Sequence, residues 1–94
     1  MNNRVSIKDL EAIVSRINRI TGSPEASYVK DAAGKYTAQI GNYHLDGAYG
    51  GYALHRMVSE GGAVSDVLHV GHVSKRELQR LMFAFISGIE VERE

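Results

Sequence analysis

The side chains best equipped for chemistry in this sequence are those of His44, Asp46, His55, His69 and His72. An imidazole exchanges protons near neutral pH and can bind a metal ion, and a carboxylate beside it can orient the ring. His44 and Asp46 stand two residues apart, a spacing that puts both on the same side of a strand. The same two residue types occur in the facial iron triads of oxygenases, but the double-sheet barrel of those enzymes is considerably larger than a 94-residue chain. His69 and His72 are three residues apart, so in a strand they point to opposite faces and share no ion without a bend. His72 reads as loop, near the start of the second helix. The chain has no cysteine, which excludes a disulfide framework, a thiolate nucleophile and the common cysteine-based zinc and iron-sulfur sites. Phosphate loop, nucleophile elbow and HExxH motifs are missing. Ala48-Tyr49-Gly50-Gly51-Tyr52 is rich in glycine but falls in a hairpin, so turn geometry explains it better than phosphate binding at a helix terminus.

Two amphipathic helices and a set of strands must position these groups. Ile7, Leu10, Ile13, Val14, Ile17 and Ile20 follow a three-and-four spacing, which predicts a helix over 7–21 with one apolar stripe. Ser6 and Asp9 form a capping pair before it, and Thr21-Gly22-Ser23-Pro24 stops it. Leu78, Leu81, Met82, Phe85, Ile86 and Ile89 repeat the pattern behind a Ser74-to-Glu77 capping box, predicting a second helix over 75–88. Phe83 lies off that stripe, so the apolar surface is wider than one sheet requires, and self-association is the expected use of it. Arg16 and Arg19 on the outer side of the first helix are candidate partner contacts.

Seven of the ten glycines fall between Gly41 and Gly71, interleaved with alternating apolar residues. This pattern predicts an antiparallel β-meander of four to five short strands over 27–70. Turns read at Asp31 to Gly34, at Gly41-Asn42 (a hairpin turn or a bulge), at Tyr49-Gly50 and at Glu60-Gly61-Gly62. A two-residue turn at Tyr49-Gly50 sets Tyr43 against Arg56, Leu45 against Leu54 and Gly47 against Tyr52. A three-residue loop at Glu60 to Gly62 sets Val58 against Val64, Arg56 against Asp66, Leu54 against Leu68 and Tyr52 against Val70. A two-residue turn at Gly41-Asn42 sets Ile40 against Tyr43 and Ala38 against Leu45. All these residues share one face, which both helices cover in an α+β fold, with Arg56 and Asp66 as an ion pair at its margin.

The same register gathers His44, Asp46, Ala53, His55, Met57, Ser65, Val67 and His69 on the opposite face, with a shallow dip over Ala53. The candidate ligand-binding residues are therefore His44, Asp46, His55 and His69, joined by Tyr49 at a turn tip and by Arg56; Arg16, Arg19 and Phe83 are the candidates for a partner. Ligands on an open sheet diverge, so no metal and no other cofactor is expected.

Eleven basic and eleven acidic residues balance to zero, which disfavours a protein that lives on nucleic-acid phosphates. One core of modest size is all that 94 residues build, burying roughly 60 to 65% of the unfolded surface. No apolar run is long enough for a membrane span, and the start of the chain lacks a signal-peptide pattern, so a soluble, unprocessed protein of the cytoplasm is expected. The stretches Gly41 to Tyr52, Ser59 to Gly62 and Gly71 to Leu78 resemble small accessory proteins of tailed phages and prophages. That resemblance implies the bacterial host cytoplasm as setting and a role in neutralising host defences, by binding a host protein or by sequestering a nucleotide signal; it assigns no functional residue. The expected function is a non-enzymatic, self-associating binding module. The alternatives are a metal-assisted hydrolase on His44, Asp46, His55 and His69, and a nucleic-acid-associated phage component.

Overall fold

The computed structural model describes residues 4–93. Helix α1 spans Ile7–Thr21 and opens on the expected capping box. The Asp9 amide donates to Ser6 Oγ at 3.0 Å and the Ser6 amide to Asp9 Oδ2 at 2.8 Å. Left-handed Gly22 ends the helix, its amide donating to the Arg19 carbonyl while the Ser23 amide donates to that of Asn18. Helix α2 spans Lys75–Glu92, one turn beyond the expected end. Its box is half formed: Ser74 Oγ accepts from the Glu77 amide, but Arg80 engages the Glu77 carboxylate instead. The helix passes through Gly88, which costs about 1 kcal/mol relative to alanine. The added turn partly buries Ile89 and brings Glu90 within 2.8 Å of Arg16 on α1.

The strands form two antiparallel sheets. Strands β1 (Tyr28–Lys30) and β2 (Tyr36–Ala38) make a hairpin, and β3 (Tyr43–Ala48), β4 (Gly51–Met57) and β5 (Val64–Asp66) make a three-stranded sheet with β4 in the middle. The expected meander is thus divided at Gln39 to Asn42. There Gly41 adopts a φ of 93°, the Asn42 amide closes a turn on the Gln39 carbonyl, the Gly41 amide donates to the Met57 carbonyl and the Asn42 carbonyl accepts from the Met57 amide at the end of β4. Chain 38–42 therefore runs beside residues 57–60, past the end of β4, instead of folding back along β3. Ala38 pairs with Tyr28, and the expected Ile40–Tyr43 and Ala38–Leu45 pairings do not form.

Between β3 and β4 the register is the one read from the sequence, with Tyr43 opposite Arg56, His44 opposite His55 and Leu45 opposite Leu54. Tyr49 and Gly50 both have positive φ, as the tight turn requires. Between β4 and β5 the register differs by one residue: Met57 faces Val64, Arg56 faces Ser65 and His55 faces Asp66. The cause is Ser59, whose Oγ accepts from the Ala63 amide at 3.0 Å and draws this residue into a longer turn closed by Val58 and Ala63. The slip moves Asp66 to the histidine side, so the Arg56–Asp66 ion pair does not form, and Arg56 instead lies over the Tyr43 ring at 5.3 Å.

Both helices cover one face of the larger sheet. Leu10, Ile13, Val14 and Ile17 of α1 and Leu78, Met82 and Ile86 of α2 close over Tyr43 and Leu54, with Leu45, Tyr52 and Phe85 packed against them. Asn18 is 2% exposed within this layer. Its amide group takes both backbone groups of Tyr43, accepting from the N–H at 2.8 Å and donating to the carbonyl at 2.9 Å. No helix among the described residues is long and apolar enough to cross a membrane.

Candidate functional site

On the face turned away from the helices, β3 contributes His44 and Asp46 and β4 contributes His55. The third position is filled by His72, not by His69. Strand β5 ends at Asp66 and the chain turns away, leaving His69 exposed in a left-handed conformation with φ 56°. The chain returns to the free edge of β4, where Tyr52 and Val73 exchange backbone hydrogen bonds of 2.8 and 2.9 Å. Continuing that antiparallel register places His72 beside Ala53, and Ala53 is opposite Asp46. The methyl group of Ala53 leaves the imidazole room to cross the middle strand, and His72 Nε2–H donates to Asp46 Oδ2 at 2.7 Å.

Glycine at position 51 permits this return. A Cβ there would meet the Val73 carbonyl oxygen at 2.9 Å and His72 and Val73 backbone atoms at 3.1 Å. Asp66 fastens the other end of the turn, its Oδ2 accepting from the Gly71 amide at 2.8 Å. Its Oδ1 is buried without a hydrogen-bond partner among the described residues.

The rings form a continuous series. His44 meets His55 edge-on at 5.9 Å between centroids, His55 meets His72 at 5.9 Å, and His72 meets Tyr49 at 5.6 Å. Tyr49 is otherwise 97% exposed and holds a φ of 55°, unusual for a residue with a side chain. His44 Nδ1–H donates to Oδ1 of buried Asn42 at 3.2 Å. Ser27 Oγ donates to the same oxygen, while the Asn42 Nδ2 group donates to the Pro24 and Glu25 carbonyls. Burial holds the His44 imidazole below its ordinary pKa, with nearby His55 adding to the effect and Asp46 opposing it. The hydrogen bond from His72 holds the Asp46 carboxyl below the ordinary carboxylate range, outweighing its slight desolvation.

The structure thus brings together His44, Asp46, His55 and Tyr49 from the sequence-based set, and leaves His69 and Arg56 elsewhere. Arg56 lies on the helix-facing side, opposite Tyr43 as the register predicts, and so stands apart from the histidines. Of the candidate partner contacts, Arg16 is engaged by Glu90, Arg19 is exposed in the last turn of α1, and Phe83 is 44% exposed on α2. His72 was missed because its side depends on a bridge formed seven residues after β5 ends. The usable signal was Gly51 and Ala53, two small residues on one face of a central strand, which mark the close approach of another segment. That approach also removes the divergence expected of ligands on an open sheet. The side-chain ligand atoms of Asp46, His55 and His72 all lie within 4.8 Å of one another.

No family model, curated protein or solved structure matches this chain.

Proposed function

We propose that the chain is a small, non-enzymatic binding module whose ligand seats on the surface formed by His44, Asp46, His55 and His72, with Tyr49 at its rim. The carrying observation is convergence: a close backbone crossing at Gly51 places His72 across Ala53 and onto Asp46. A merely solvated sheet face has no use for a third segment threaded over it, or for a tyrosine held at positive φ against its outermost imidazole. The resemblance to small phage proteins supports placing the module in the bacterial host cytoplasm as an accessory factor acting against host defence. The exposed side of α2 around Phe83 is the surface assigned to self-association.

Calorimetry against divalent cations, cyclic nucleotides and ADP-ribose derivatives tests the binding role, with imidazole NMR shifts locating the contact. Binding that moves the His44, His55 and His72 resonances supports the reading. Silence across the panel, or binding that moves other residues alone, overturns it. Light scattering of the wild type and of Phe83→Arg tests self-association: a mass of one chain for the wild type refutes it.

A further inference from the structure

We propose that Asp46, His55 and His72 form a binding site for a divalent transition-metal ion, an inference that rests on the binding-module reading and names its ligand class. The geometry comes first. Zinc bonds to imidazole nitrogen and carboxylate oxygen are about 2.0 to 2.2 Å long, so tetrahedral donors around one ion stand roughly 3.3 to 3.5 Å apart. Here one pair of donors is separated by 2.7 Å and every pair by no more than 4.8 Å. The required spacing lies inside that range.

The donors come from three segments that approach from different directions: β3, β4 and the strand-edge return at residues 72–73. They surround the space above Ala53, whereas donors from two neighbouring strands alone would stand side by side. Their surroundings limit how far they can turn away. His72 has Tyr49 on one side and His55 on the other, and His55 is backed by His44. The three ligands are partly buried, which suits a site still reached by the ion.

Two imidazoles and one carboxylate favour zinc, cobalt, nickel or ferrous iron over calcium and magnesium, which require shells made mainly of oxygen. In the ion-free protein the short His72–Asp46 hydrogen bond occupies this space, and a metal takes over the role of its proton in joining the two groups. Three protein ligands leave at least one coordination position for water or for an atom of a partner molecule.

Zinc titration of the metal-free wild-type chain by calorimetry, with cobalt substitution read by its visible absorption, tests the assignment. The expected result is one ion per chain, with dissociation in the micromolar range or tighter and cobalt bands of a low-coordinate nitrogen and oxygen site. His55→Gln and Asp46→Asn should each weaken binding at least about tenfold, in line with the loss of one ligand. His69→Gln, outside the set, should leave it unchanged. Among the described residues His55 joins the cluster through ring contacts alone, so His55→Gln keeps the test informative even where a change at His72 disturbs the loop. Binding only in the millimolar range, or equal losses in His69→Gln and His55→Gln, would overturn the proposal. Nucleotide binding at these rings without zinc uptake would refute the metal site while leaving the binding module intact; silence towards both would remove both.

Discussion

Gly51→Ala is the most direct test of how the site is assembled. The added methyl carbon would sit 2.9 Å from the Val73 oxygen and 3.1 Å from two further backbone atoms. No flexible side-chain end is among these neighbours, so the returning segment itself must retreat. Retreat breaks the two hydrogen bonds between Tyr52 and Val73, at about 0.5 to 1.5 kcal/mol each, or about 1 to 3 kcal/mol together. For a domain of this size each kcal/mol corresponds to roughly 4 to 8 °C in melting temperature. Gly88→Ala is the matched control, because a Cβ there meets nothing within 4 Å and the site is helical. It should raise stability by about 0.5 to 1 kcal/mol through helix propensity and backbone entropy. Urea unfolding of both variants, with hydrogen exchange of the Val73 amide, reads the difference. Gly51→Ala should also loosen His72 from Asp46, seen as a shifted His72 imidazole resonance. A Gly51→Ala protein within about 0.5 kcal/mol of wild type, with Val73 still protected and His72 unmoved, would refute the reasoning.

Asn18→Ala leaves the N–H and carbonyl of Tyr43 without partners in a buried layer, and should cost about 2 to 4 kcal/mol in chemical denaturation. Asn18→Leu should rescue none of this loss. Tyr49→Asn relieves a side chain from positive φ and should raise the unfolding midpoint slightly, by up to about 1 kcal/mol, while removing the ring contact with His72. The Ser6 amide and hydroxyl hold the Asp9 carboxyl below the ordinary aspartate range. A lowered folded-state pKa adds stability that is complete above the unfolded value and is lost as pH falls through the folded one. The stability difference between wild type and Asp9→Asn should therefore shrink on acidification below the ordinary aspartate range; a difference that widens there would contradict the capping role.

The helices were legible because their signals are local. Six apolar residues at helical spacing and a serine three residues before an acid define α1 without reference to anything distant. The β3–β4 hairpin was equally legible, because a two-residue turn sets every pairing along it. Reading failed where one side chain decided the outcome. Ser59 joined its turn and shifted β5 by one residue, and the turn at Gly41 kept β2, paired with β1, from also pairing with β3. Most of the site followed from the hairpin alone, in His44, Asp46 and His55 with Tyr49 at its turn. His72 did not, because a single isolated bridge has no periodic pattern to announce it.

The amide of Asn18 against Tyr43 has a consequence for how copies of this protein meet. β3 lies at the border of its sheet, where unpaired backbone groups normally invite an added strand and, with it, fibrous aggregation. The asparagine of α1 behaves there as a one-residue strand, filling the first docking point an intruding chain would seek. Association by strand addition is thereby blocked at that end of the border.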